Sequence, residues 1–113
     1  MPDTDDPLFI NCVLAIDVLA PLAALLPQSR VIQTSFADLT ADLLTRHTPN
    51  RVVLPLLSGD HDAIQVIEML ESLGYAGSIV VIGPDLPKPH LVEQELRRLG
   101  PGPRLVLLTP PAP

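Results

Sequence analysis

The chain has 113 residues, the size of one domain, and 47% of them are hydrophobic, which argues against extensive disorder. Its net charge of −6 argues against nucleic-acid or anionic-membrane binding, since both need clustered Lys and Arg. A single cysteine, Cys12, excludes an intrachain disulfide, and we expect it to be a buried core residue. With no bilayer-spanning apolar stretch and an acidic N-terminus unlike a signal peptide, we expect a cytoplasmic protein.

Two strands begin an alternating pattern of strands and helices. The run FINCVLAI, residues 9–16, predicts a strand that ends at Asp17, and a short helix over about 18–26 follows it. RVIQTS, residues 30–35, predicts a second strand with one buried face. A second helix then ends near residue 47. We expect Ser35 to be its N-cap and its apolar face to hold Phe36, Leu39, Leu43 and Leu44.

The third and fourth strands are the most apolar. RVVLPLL, residues 51–57, is typical of a strand covered on both faces. Asp60 or Asp62 is expected to cap the helix that follows, and Gly74 to end it. The core face of that helix is predicted to hold Ile64, Ile67, Leu70 and Leu73. SIVVIG, residues 78–83, predicts a fourth buried strand.

A proline-rich loop leads to a fourth helix over about 90–99, with a core face predicted to hold Leu91, Val92, Leu96 and Leu99. RLVLLT, residues 104–109, predicts a fifth strand. Alternation with short connections predicts right-handed crossovers and a parallel sheet. The fold class is therefore α/β, a flavodoxin-like doubly wound sheet of order 2-1-3-4-5. We expect one domain over 1–113, with an acidic tail over 1–8 and a proline-rich tail over 110–113.

Three segments resemble the receiver domains of bacterial two-component response regulators, the CheY-like family. RVVLPLLSGDHD keeps the length and apolar pattern of the receiver segment that carries the phosphoacceptor aspartate, and Pro55 falls on that aspartate. SIVVIG places Gly83 where receivers have a hydroxyl switch residue. LLTPP places Pro110 on the catalytic lysine, and only Asp17 remains of the two acids that hold Mg²⁺.

The resemblance implies the receiver fold without its chemistry. Phosphoryl transfer needs a carboxylate nucleophile, a metal held by carboxylates and a cation for the developing charge. The chain is therefore predicted to be a degenerate receiver, or pseudo-receiver, that is not an enzyme and has no metal or cofactor. The candidate site is the pocket at the carboxyl ends of the strands, formed by Asp17, Pro55, Gly83, Thr109 and Pro110.

Two polar positions have alternative interpretations. Asp60, His61 and Asp62 form either a metal or acid–base cluster or a polar loop with a helix N-cap. The loop is favoured because consecutive loop side chains need not converge. Asp17 is either a remaining metal ligand or a helix N-cap. The N-cap is favoured because one carboxylate binds Mg²⁺ poorly.

The fifth strand indicates an interface. Receivers usually have a fifth helix, and we expect this chain to lack it, so only the short first helix is expected to cover the face that the two helices share. Leu105, Val106, Leu107 and Leu108 make the strand apolar on both sides, and we expect part of this surface to bind a second copy or a protein partner. The predicted function is a non-catalytic signalling or regulatory module acting through protein–protein contacts. The alternative is a small-ligand-binding domain that uses the crevice at the carboxyl ends of the strands.

Overall fold

The computed structural model describes residues 11–18, 29–58 and 61–110. Its strands and α-helices there are β1 (Asn11–Ile16), β2 (Ser29–Thr34), α1 (Ala41–His47), β3 (Arg51–Pro55), β4 (Leu57–Ser58), β5 (His61–Asp62), α2 (Ala63–Ser72), β6 (Ser78–Ile82), α3 (Pro89–Arg97) and β7 (Leu105–Leu108). Five strands form a parallel sheet in the order β2-β1-β3-β6-β7, while β4 and β5 form a separate antiparallel pair. The predicted fold class and the 2-1-3-4-5 order are confirmed.

Several predictions lie outside the described residues. They are the acidic tail over 1–8, the first helix over about 18–26, and the end of the proline-rich tail at 111–113. The segment beyond residue 110, which bears on a fifth helix, lies outside them as well.

The main core lies between one face of the sheet and the three helices. Side chains alternate across a strand, so every second strand residue points to the helices. The fully buried strand residues on this face are Leu14, Ile16, Val52, Leu54, Ile79, Val81 and Leu105. The helices add Ala63, Val66, Ile67, Leu70 and Leu96. Burying one such large side chain stabilises the fold by about 1.5 to 3 kcal/mol, which makes this layer its main source of stability.

The opposite face of the sheet is covered unevenly. Over β1 and β3 it is buried, at Val13, Ala15 and Val53. Towards β7 it is open, and the exposed fractions reach 40% at Ile82, 40% at Val106 and 52% at Leu108. We call these last three residues the uncovered face. Of the fifth-strand leucines, Leu105 is buried and Leu107 is half-buried, both on the helix side, so the expected exposure is found at Val106 and Leu108.

Helix α2 begins at a capping box. The Gln65 N–H donates to Oδ1 of Asp62 at 3.0 Å, and the Asp62 N–H donates to Oε1 of Gln65 at 3.1 Å. Asp62 is therefore the cap, one of the two predicted, and Gly74 ends the helix region with a φ of 80°. The prediction for Ile64 was wrong, because it is 46% exposed. With Asp62 as cap, the buried stripe starts at Ala63 and runs through 66, 67 and 70.

Helix α1 begins later than predicted. Residues Phe36–Asp38 form a separate 3-10 turn, and Ser35 makes no capping bond to it. Leu39 follows with an extended backbone and is buried, which interrupts the helical path. Thr40 is the cap, because its Oγ1 accepts the Leu43 N–H at 3.2 Å. Ser35 donates its hydroxyl to Oδ2 of Asp38 at 3.1 Å instead.

Helix α3 begins with Pro89 in its first turn, a position where a missing N–H costs nothing. Leu96 is buried, and Val92 and Leu99 pack against the core as predicted. Leu91 was predicted to face the core as well, but it is 46% exposed. One turn of helix separates Val92 from Leu96, and Leu91 lies to the solvent side of that stripe.

Candidate functional site

The carboxyl ends of the parallel strands meet at one edge of the sheet, and Asp17 lies there after β1. Its backbone has a φ of 56°, a left-handed conformation that aspartate tolerates better than most residues. Its N–H donates to the Thr34 carbonyl at 2.9 Å, and its Oδ2 accepts the Phe36 N–H at 3.2 Å. The described partner of the carboxylate is thus the 3-10 turn after β2, while the helix predicted to be capped by Asp17 lies outside the described residues.

Pro55 ends β3 and lies opposite Ile82 in the register with β6. The Leu56 N–H donates to the Ile82 carbonyl at 2.8 Å, so Leu56 turns its backbone donor towards β6. Backbone groups alternate along a strand, so the N–H that Pro55 lacks would point towards β1. Pairing between β1 and β3 has already ended at Ala15 and Val53. The proline therefore lies where the pairing of β3 with β1 ends, a place where a missing N–H is tolerated.

Gly83 follows β6, and apolar side chains surround it. A Cβ at this position would lie 3.3 Å from Cδ1 of Leu107, 3.4 Å from Cδ2 of Leu56 and 3.7 Å from Cγ2 of Thr109. The Gly83 N–H is used as well, since it donates to the Leu108 carbonyl at 2.8 Å. The space around Gly83 is thus filled by methyl groups, and the backbone donors of Leu56 and Gly83 are bound within the sheet.

The loop between β3 and α2 forms the hairpin β4–β5, with Leu57 opposite Asp62 and Ser58 opposite His61. The sequence analysis missed this pair. The signal was the two-residue Gly-Asp segment between the strands, which is a typical short hairpin connection. The Ala63 N–H donates to the Leu56 carbonyl at 2.9 Å and joins the start of α2 to this loop. Asp62 caps α2, and Asp60 lies outside the described residues.

The remaining site residues bring little polarity to this edge. Thr109 is half-buried and directs Cγ2 towards Gly83, while Pro110 is exposed. Within residues 11–18, 29–58 and 61–110, no three His, Cys, Asp or Glu side chains are close enough to hold a metal ion. The contacts around Gly83 are therefore apolar, and the carboxylate of Asp17 is bonded to the backbone.

The amino end of the sheet is the polar end. Arg104 donates from Nη1 to the carbonyl of Gly77 at 2.9 Å and to that of Tyr75 at 3.3 Å, and from Nη2 to Oε1 of Glu71 at 3.0 Å. The Tyr75 hydroxyl donates to the Ser78 carbonyl at 3.0 Å. Burial raises the pKa of Tyr75 to about 12, although the nearby guanidinium of Arg104 lowers it. Sequence reasoning gave no role to Arg104, because its partners come from distant segments.

Cys12 and a shallow cavity also lie towards this end. Cys12 is buried, as predicted, and its backbone N–H donates to Oδ1 of Asn50 at 2.7 Å. The cavity has a volume of about 290 Å³. It lies between α1 and the segments that lead into β3 and β6, and its lining has no charged residue. It is thus separate from the predicted site at the carboxyl ends of the strands.

Among known proteins, the chain has a structural match but no match in sequence. No protein-family model matches it, and no curated protein is significantly similar. A solved structure that it resembles is the signal receiver domain of a protein described as a LuxO repressor from Vibrio parahaemolyticus, with a TM-score of 0.64 and 16% sequence identity. The match covers 91% of this chain and 80% of the other. This chain has the fold of a receiver domain.

The receiver-like fold that the sequence resemblance implied is therefore confirmed. The five parallel strands of this chain have the 2-1-3-4-5 order that was predicted. None of the described helices has the length and apolar character needed to cross a bilayer.

Proposed function

We propose that the chain is a pseudo-receiver, a signalling or regulatory module that acts by protein–protein contact and is not phosphorylated at the third-strand position. One observation carries the proposal. Pro55 occupies that position at the end of β3, and the side chains of Leu56 and Leu107 fill the adjacent space at Gly83. A pyrrolidine ring provides no nucleophile, and methyl groups provide no donor for a phosphoryl oxygen.

The surrounding residues support the absence of catalysis. Phosphoryl transfer is catalysed by positioning and by positive charge close to the transferred group. Pro110 has no ammonium group, and the Asp17 carboxylate accepts the Phe36 N–H. A single carboxylate that already accepts a backbone hydrogen bond is a poor Mg²⁺ ligand. The module therefore keeps the receiver scaffold and works without the phosphoryl switch.

The uncovered face is the proposed contact surface for a protein partner or a second copy. Parallel sheets are normally covered on both faces, yet Ile82, Val106 and Leu108 expose aliphatic side chains next to one another on adjacent strands. Contiguous exposed apolar surface of this kind marks interaction sites.

Acetyl phosphate with Mg²⁺ tests the phosphorylation claim. We expect the intact mass of the protein to stay unchanged after incubation, as for a chain without a nucleophile at this site. The variant Pro55→Asp is also expected to stay unmodified, because the lysine and the second acid are still missing. A stoichiometric phosphoaspartate in the chain without any substitution would contradict the proposal.

Matched isoleucine variants test the contact surface. Ile82 and Ile64 are 40% and 46% exposed, but only Ile82 lies on the uncovered face. Ile82→Asp is expected to abolish self-association or binding of the protein partner, while Ile64→Asp leaves both unchanged. Equal effects of the two variants, or no effect of either, would refute this surface as the contact site.

Small-ligand binding in the crevice stays the alternative prediction. Leu56, Leu107 and Thr109 occupy the space around Gly83, which leaves an apolar lining there. A ligand that binds the folded state raises the melting temperature, so a thermal-shift screen separates the two functions. A ligand whose thermal shift disappears in Gly83→Val would favour the alternative.

A further inference from the structure

The outer edge of the sheet is formed by β7, which pairs on one side with β6. The Gly83 N–H donates to the Leu108 carbonyl, so Leu108 turns its backbone groups towards β6. Successive residues of a strand alternate in this direction. Leu105 and Leu107 therefore turn their backbone groups towards the outer edge, where an incoming strand would pair.

Two side chains of α3 bind two of those edge groups. The Leu107 N–H donates to Oε2 of Glu93 at 2.8 Å, and Nε of Arg97 donates to the Leu105 carbonyl at 2.9 Å. Nη2 of Arg97 lies 3.4 Å from Oε1 of Glu93, so the two side chains also form an ion pair.

The spacing of the pair matches the strand. Four helix residues rise about 6 Å, and two strand residues rise about 6.6 Å. Because α3 runs opposite to β7, Glu93 reaches Leu107 while Arg97 reaches Leu105. One turn of helix thus presents an acceptor and a donor in the positions that a neighbouring strand would occupy.

We propose that Glu93 and Arg97 form an autoinhibitory contact that stops β7 from adding the β7 strand of a second copy. An edge strand with unpaired N–H and C=O groups is a template for strand addition. The sequence Leu-Val-Leu-Leu is apolar and carries no charge that would oppose pairing with itself about a two-fold axis. The charge-assisted bonds from α3 occupy two of the groups that such pairing needs, the Leu107 N–H and the Leu105 carbonyl. Contacts are thereby directed to the uncovered face and away from the edge.

A double variant with an internal control tests this contact. Glu93→Ala with Arg97→Ala frees the edge. Glu95→Ala with Arg98→Ala removes another ion pair of the same helix region, whose side chains are 72% and 74% exposed. Both doubles leave the net charge unchanged, and both are made in an Ile82→Asp background, so that association through the uncovered face does not contribute.

Light scattering and amide hydrogen exchange give the readout. The edge variant is expected to double in molar mass as concentration rises, while the control stays monomeric. At low concentration, exchange of the Leu107 amide is expected to accelerate about tenfold on loss of its charged acceptor, and to slow again as the dimer forms. Glu93→Gln, which keeps an acceptor oxygen, is expected to remain monomeric.

Three results would overturn the proposal. One is an edge variant that stays monomeric at every concentration with its Leu107 amide unprotected. Another is equal association of the edge and control variants. If the double variant loses its cooperative thermal transition, Glu93→Ala alone is measured in its place. The third overturning result is an unchanged exchange rate of the Leu107 amide in that folded variant. None of these results depends on phosphorylation or on a partner, so they leave the proposed function to its own tests.

Discussion

The two ends of the sheet differ in their contacts, which are apolar at the carboxyl end and polar at the amino end. At the carboxyl end, Pro55 ends β3, and methyl groups of Leu56, Leu107 and Thr109 lie against Gly83. At the amino end, Arg104 connects α2 to the loop before β6 through three hydrogen bonds.

The comparison shows where polar groups are needed. The amino end must connect segments that are distant in the chain, and its carbonyls need donors once they are removed from water. The carboxyl end has continuous backbone pairing through Leu56 and Gly83, and aliphatic packing is enough to close it. The polar network of this chain therefore holds the structure together at the end opposite the predicted pocket.

The largest expected effect is at the amino end, in Arg104→Met. The change removes the donor of the Tyr75 and Gly77 carbonyls and leaves the partly buried Glu71 without its cation. We expect the free energy of unfolding to fall by about 3 kcal/mol in a denaturant titration. The control Arg46→Met breaks an ion pair whose side chains are 68% and 75% exposed, and is expected to change stability by less than about 0.5 kcal/mol. Equal losses of stability in the two variants would contradict the prediction that Arg104 stabilises the fold more than a surface ion pair does.

The next effect is a loss of stability at alkaline pH. The pKa of Tyr75 is raised from 10.0 to about 12 by burial. Between those values the unfolded chain has lost the phenolic proton while the folded chain retains it, so stability falls as pH rises. We expect the free energy of unfolding to fall by roughly 2 to 3 kcal/mol as the pH rises between these two pKa values. This loss should be absent in Tyr75→Phe.

Tyr75 is the single tyrosine of the chain, so phenolate absorbance reports its titration directly. An apparent pKa near 10 in the folded protein would contradict this prediction. So would an equal alkaline loss of stability in Tyr75→Phe.

The smallest effect comes from one substitution made at both ends. In Gly77→Ala, the new Cβ would overlap the Tyr75 hydroxyl and lie 3.0 Å from the Asn50 carbonyl, which is fixed backbone. In Gly83→Ala, its nearest neighbours are methyl ends of flexible leucines at 3.3 and 3.4 Å. We expect Gly77→Ala to cost about 2 kcal/mol and Gly83→Ala less than about 1 kcal/mol, from thermal and denaturant unfolding. A larger cost at Gly83 would mean that the carboxyl end is the more rigid one.

Local sequence signals placed most elements correctly. The apolar run over 51–57 predicted β3, whose residues Val52, Val53 and Leu54 are all buried. Asp62 is one of the two expected caps, and its partner Gln65 lies in the same turn, so this contact is local in sequence. The start of α1 was missed, because burial of Leu39 in the core set the break and a tertiary contact outweighed the capping preference of Ser35.

The candidate site stays a prediction, and the sequence accounts for only part of its geometry. The sequence predicted that Pro55 and Gly83 lie at strand ends, because strand ends follow from the apolar runs. It gave no account of what fills the pocket, since Leu56, Leu107 and Thr109 come from three segments that only folding brings together. The hairpin β4–β5 was missed although its Gly-Asp connection is a local signal.

The amino-acid sequence was enough to predict the alternation of strands and helices, the parallel sheet and the place of Pro55 at the end of β3. Those properties depend on residue type and on periodicity along the chain. Folding added three features: methyl groups lie against Gly83, Arg104 joins distant segments, and Glu93 and Arg97 bind backbone groups at the edge of β7. Each of these depends on the distance between residues far apart in the chain, which is set by how the helices pack on the sheet.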